Sequence, residues 1–176
     1  MRLWFLGLAV AAGACVKPVP PIERGTGLVS VEWDGVAQGG NTARAEGLWC
    51  AADSLLEVLA IKNDFGVGFT VLPVDTLAPA QHPIVAGSIP VGWRPLAFGA
   101  LGWISDTALR GYEAPGGTVN VTAVTAAGIS GTLDFRLKQS DGFDTLRLSG
   151  TFTDVPVLPA PEGCGRVFRP KASSGD

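Results

Sequence analysis

Apolar positions between residues 28 and 158 recur with a period of two, the spacing that puts one set of side chains on each face of a β-strand. Val29, Val31 and Trp33 alternate with Ser30, Glu32 and Asp34, and Asp34-Gly35 then offers a turn. Residues 43–50 read as a second strand. Ser54-Leu55-Leu56-Glu57 matches a helical capping box. Yet Val58, Leu59 and Ile61 run straight into Asn63-Asp64-Phe65-Gly66, beyond which Val67, Phe69 and Val71 alternate with Gly68, Thr70 and Leu72. Two apolar runs joined by a short Asn/Asp/Gly turn favour a hairpin over a helix at 54–62.

Residues 73–95 carry five prolines and the only histidine, and read as irregular. The run 96–104 is apolar or small at nearly every position, as in a strand buried on both faces. Residues 108–113 return from a turn at Ser105-Asp106-Thr107. The last third is clearest. Val119 and Val121 share one side of 118–124. Ile129, Leu133, Phe135 and Leu137 then alternate with polar neighbours, as do Leu146, Leu148 and Phe152 beyond a turn at 139–142. Gly131 and Gly150 fall on inward phases, where a missing side chain marks a bulge or bend. These spacings predict a single all-β domain over 28–158. It is an antiparallel β-sandwich of about eight to ten strands, with a β-barrel as the alternative closure.

Ahead of this domain the pattern changes. Arg2 is followed by apolar residues at 3–10 and small ones at 11–14. The run is shorter than the roughly 20 residues of a spanning helix and has the order of an export signal. Ala12-Gly13-Ala14-Cys15 resembles the lipobox of bacterial lipoproteins, with Ala12 where that family commonly carries leucine. The resemblance implies that residues 1–14 are removed and that Cys15 is diacylated as the mature N-terminus. The same Ala12-Gly13-Ala14 also fits an Ala-x-Ala site for ordinary signal cleavage, which would release a soluble periplasmic or secreted product. Residues 15–27 would then be a lipidated N-terminus and tether, stiffened by Pro18, Pro20 and Pro21.

The chain has three cysteines, and an odd number in an exported protein leaves one unexplained. If Cys15 carries lipid, Cys50 and Cys164 can pair, pinning the tail at 159–176 to the domain. Within 117–154, the pieces Gly-Thr-Val-Asn-Val-Thr, Ile-Ser-Gly-Thr-Leu-Asp-Phe and Leu-Ser-Gly-Thr-Phe are similar to the closing strands of uncharacterised β-sandwich lipoproteins of bacteria.

Composition adds exclusions. With 24 glycines and 13 prolines the chain favours turns over long helices. A net charge of −3 offers no electrostatic footprint for nucleic acid. His82 stands alone, which rules out a multi-histidine metal site, and its place beside Pro83 reads as a surface loop. Gly128-Ile129-Ser130-Gly131 falls one residue short of a nucleophile elbow and lies within strand alternation. Asp141-Gly142-Phe143-Asp144 has too few oxygen ligands for a calcium loop and reads as a turn. No catalytic residue, metal or cofactor is therefore expected. Trp33, Trp49, Trp103 and Tyr112 read as packing residues, while Trp93, between Gly92 and Arg94, is the candidate ligand contact.

The expected function is that of a lipid-anchored cell-envelope protein of non-enzymatic binding or structural type. It would sit on the periplasmic face of the outer membrane or the cell surface. Its partners would be the membrane, through the anchor, and an envelope protein or glycan. Two alternatives stay open: a secreted hydrolase with a site around Asp75 and His82 in 73–95, and a soluble periplasmic carrier of an apolar ligand held between sheets.

Overall fold

The computed structural model describes residues 27–86, 94–105 and 108–160. Ten strands follow one another: β1 (Leu28–Gly35), β2 (Gly39–Cys50), β3 (Leu55–Lys62), β4 (Phe65–Leu72), β5 (Ala80–Pro83), β6 (Leu96–Ser105), β7 (Ala108–Thr125), β8 (Gly128–Gln139), β9 (Thr145–Val155) and β10 (Val157–Pro159). No described residue is helical. The capping-box reading of 54–57 gives way to the hairpin reading, because Ser54 sits in the left-handed region at φ 46° and Leu55 opens β3. Asn63, at φ 57°, makes the tight turn into β4 and is among the few non-glycine residues that tolerate that conformation.

The eight longer strands run up and down in sequence order, with β6 following β4 around the wall. β9 then pairs with β1 from Leu28↔Thr153 to Gly35↔Leu146, and β1 pairs on its other side with β2 from Leu28↔Arg44 to Trp33↔Gly39. The sheet therefore closes on itself. The fold is an eight-stranded antiparallel barrel, the alternative closure, and not a two-sheet sandwich. Both architectures turn alternate residues inward, so the period-two pattern is common to them; the β9–β1 ladder decides between them.

Inward phases form one continuous core containing Val29 and Val31, Ala43 and Ala45, Leu56 and Val58, Phe69 and Val71, Leu133 and Phe135, and Leu148 and Phe152. An eight-stranded barrel is just wide enough for side chains to fill it or for one small ligand. Here side chains fill it. The rings of Phe69 and Phe152 lie 5.1 Å apart, and the Phe135 ring presses against Gly99, where a Cβ would come within 2.7 Å of it. Gly131 makes room for the Phe152 ring and sits at a register shift between β8 and β9, while Gly150 faces Val31. The glycines on inward phases thus accommodate both a bulge and the largest rings.

Two short strands complete the wall where a long neighbour stops. β7 pairs with β6 only over Ala108 to Glu113, then shifts register before Gly116. Along its farther half β5 takes the place of β6, pairing from Ala80↔Val121 to Pro83↔Thr118. β5 is held on its other side by a parallel bridge between Ile84 and Ala97. Likewise β2 pairs with β1 up to Arg44, and β10 then lies parallel to it from Val157↔Gly47 to Pro159↔Trp49. The stretch 73–95, expected to be irregular, therefore contributes a piece of the barrel. Residues 108–113 and 118–124, read as separate segments, are one 18-residue strand with a bulge at Ala114-Pro115.

Candidate functional site

The barrel's two ends differ. At one, the hairpins β1–β2, β3–β4, β6–β7 and β8–β9 turn. At the other, the chain enters at Leu28 and leaves beyond Pro159. Inward residues at the hairpin end include a group of stacked aromatics beside Leu137 and Leu146. Trp33 stacks on Phe65 at 5.1 Å and 13° and on Trp103 at 6.1 Å and 18°, and Trp103 stacks on Tyr112 at 5.1 Å and 25°. The Trp33 ring also lies against the Gly39 backbone. Stacked on Phe65 and Trp103, the ring belongs to the packing of this end. Trp49 is also packed against the core, and Tyr112 is buried. Trp93 lies outside the described residues, as do Cys15 and Cys164; Cys50 is buried at the end of β2.

Beside this stack the outer wall carries a groove of about 510 Å³ lined by Glu32, Trp33, Asp34, Gln38, Gly39 and Arg147, among others. Its volume falls in the range of small-ligand sites, roughly 300–1,000 Å³. It is an open surface hollow between β1, the β1–β2 turn and β9. Nearby hairpin tips expose Val36, Ile61 and Phe143, the last at 95 %. Carboxylates at this groove and the two adjacent tips (Glu32, Asp34, Asp64, Asp141 and Asp144) outnumber the cations Lys62 and Arg147.

The second place of interest is β5. His82 was expected on a surface loop; it is 0 % exposed. Its register partner Val119 is an inward core residue of β7, so the imidazole faces into the barrel. Nδ1 donates to the Ala80 carbonyl at 3.1 Å, which fixes that nitrogen as the protonated one, and Nε2 has no partner. Burial pushes the imidazole pKa below its ordinary value, opposed by the backbone of Ala80 and Val119. Sequence reasoning missed this residue because Ala-Gln-His-Pro has neither alternation nor β-branched side chains. The one available signal was the length of β7 relative to β6, which leaves half of β7 in need of a partner.

Just past β5, the seam between β6 and β7 leaves a slot of about 190 Å³ lined by Val85, Phe98, Gly99 and Ala114, with Glu113 and Lys138 at its lip. It is smaller than an ordinary ligand site. Asp75 is exposed on the loop before β5 while His82 is enclosed, so the structure does not bring the pair together as a catalytic site. Among the described residues no three of His, Cys, Asp and Glu gather in a way that could hold a metal ion. Comparison with family models, with curated proteins and with solved structures finds no significant match to this chain.

Proposed function

We propose that the protein is an exported, lipid-anchored envelope protein whose barrel is a non-enzymatic binding or structural module that meets its partner, an envelope protein or glycan, with its outer surface. The observation that carries this reading is the filled interior. With Phe69, Phe135 and Phe152 on the inward phases, an apolar cargo has no room, whereas the outer wall carries accessible hollows of useful size, among them the groove beside Trp33. The direction of the chain supports the anchor. The first strand begins at Leu28, at the end opposite the hairpins, so a lipid on Cys15 joined to it through the segment 16–27 would turn the groove and the exposed Phe143 away from the membrane. At polyproline rise the tether reaches on the order of 35 Å.

The Cys50–Cys164 pairing belongs to the same reading. β10 brings Pro159 opposite Trp49, and the Ala160 amide donates to the Trp49 carbonyl at 2.9 Å. One more step of that register puts Ala160 beside Cys50, with Cys164 four residues farther along the chain. The oxidising space outside the inner membrane permits the bond.

Phase partitioning in detergent tests the anchor. Wild-type protein goes to the detergent phase and Cys15→Ala stays in water. Recovery of both in the aqueous phase would show a soluble exported product and end the lipoprotein reading.

A further inference from the structure

β5 is a weak link in an otherwise continuous wall. It is four residues long, and one of them, Pro83, has no amide to donate. Beyond its pairing with Ala80↔Val121 to Pro83↔Thr118, the chain is held by the Ile84 amide on the Gly117 carbonyl at 2.9 Å and the Val85 amide on the Ala97 carbonyl at 3.3 Å. If β5 left, β7 would keep its full ladder with β8, and β6 would keep its ladder with β4. Removal would therefore open one seam without unzipping the barrel, as expected of a low-stability unit in a stable frame.

The anchor of this link is the one ionisable imidazole in the chain. Its surroundings suit only the neutral form. By register the inner face beside it is built by Val119 and Val121 of β7, Leu133 of β8 opposite Val119, and Ala97 of β6 at the Ile84 bridge. Ionisable groups on the neighbouring strands point elsewhere: Arg110 and Glu113 of β7 and Arg136 and Lys138 of β8 are exposed, and Asp134 is occupied by Arg147 on the outer wall. β6 and β4 carry no charged residue, and Tyr112 is buried in the aromatic stack at the hairpin end. Among the described residues no carboxylate bonds to the ring or shifts its charge. A proton added at Nε2, which has no hydrogen-bond partner in the seated state, would place a full charge inside an apolar barrel, offset only in part by the backbone of Ala80 and Val119.

We propose that β5 is an acid-released strap, seated while His82 is neutral and lifted out of the wall when the imidazole takes a proton. Release opens the seam between β6 and the far half of β7, extending the existing slot at Val85, Phe98 and Gly99 toward the core. The direction of the linkage follows from the burial. The seated state holds its proton less well than the released one, so the strap is fully stable above the ordinary histidine pKa of about 6.5. It loses stability as the pH falls below that value toward the lower pKa of the seated ring.

Amide hydrogen exchange on the full chain, corrected for intrinsic rates, tests this. Protection at the Ile84 and Val85 amides should be constant from pH 8 to 7. Below about pH 6.5 it should fall by up to tenfold per pH unit, while the amides shared by β8 and β9 keep theirs. His82→Leu should hold the strap's protection level across the whole range, and His82→Gln serves where the leucine variant does not fold. Three results would overturn the proposal: flat protection in the wild type, a fall of equal size in all strands, or an unchanged fall in the variant. The wild-type contrast between strap and frame decides the matter even if neither variant folds.

Discussion

The two ends of the barrel are held together in different ways. At the hairpin end each strand turns into its neighbour within a few residues, and the closure is aromatic: Phe65, Trp33, Trp103 and Tyr112 stack in one row. At the other end the long strands do not meet cleanly. β6 falls short of β7, and β1 falls short of β2, and the gaps are closed by β5 and β10. The ties there are polar and backbone-borne. Arg94 donates to the carbonyls of Asp53, Ser54 and Pro73, joining the β2–β3 turn to the end of β4, and the Gly47 amide donates to the Pro156 carbonyl at 2.8 Å. Apolar stacking is insensitive to pH and contributes through area, whereas a spliced strand depends on a few hydrogen bonds. The contrast assigns stability to the hairpin end and adjustability to the end where the chain enters and leaves.

The strongest way to break this comparison is to remove the middle of the stack. Trp33→Ala takes away contacts with Phe65, Trp103 and the Gly39 backbone at once. Truncating a packed Trp costs about 3 to 5 kcal/mol, and the denaturant midpoint of unfolding should fall accordingly. A midpoint within error of wild type would mean that the stack is an ornament of the end and not its closure.

The next largest effect lies at the opposite end, in the proposed bridge. Cross-linking Cys50 to Cys164 closes a loop of over one hundred residues, which on the chain-entropy model stabilises by up to about 4 to 5 kcal/mol and in practice by about 2 to 4. Replacing both cysteines with serine should lower the midpoint by that amount and raise exchange at the Ala160 and Gly47 amides first. On the lipidated protein, thiol titration under denaturing, non-reducing conditions should find no free thiol; two would dismiss the bridge. A bridge in place also sharpens the contrast, since the spliced end would then have a covalent staple at β10 and none at β5.

How far these features were legible in the sequence follows from the range of the interactions behind them. Alternation in 29–33, 67–71, 129–137 and 146–152 is local, and it marked the strands and the inward set correctly. Gly131 was recognisable as the site of a register shift because it interrupts an otherwise apolar phase, while Gly150, read the same way, keeps its register with β1 and β8 and lies close against Val31. Closure was not legible. The ladder from Leu28↔Thr153 to Gly35↔Leu146 joins positions more than one hundred residues apart, and the residues that make it have the same alternation a sandwich would need. β5 was invisible for a different reason. Its residues have no strand preference of their own, and they are strand because the far half of β7 has no β6 beside it. His82 was misread with it, as a loop residue, since its burial is a property of β7 and not of its own neighbours.

The smallest effect is expected on the outer wall, and it tests whether the comparison concerns the ends at all. Arg136 and Arg147 are directly opposed on β8 and β9, and Asp134, one step along the same face, receives Arg147 Nη2 at 3.0 Å. That bond and the Asp134 charge raise the Arg147 pKa further above its already high ordinary value, so the guanidinium keeps its charge through the neutral range. The side chains of Arg147 and Asp134 are 68 % and 50 % exposed, and solvent screens both their attraction and the repulsion between the two arginines. Arg147→Ala should therefore unfold at the wild-type midpoint within error, at low and at moderate salt alike. A shift comparable to that of Trp33→Ala would move the seat of stability from the ends to the wall between them, and the division of labour drawn from the stack and the splices would fail.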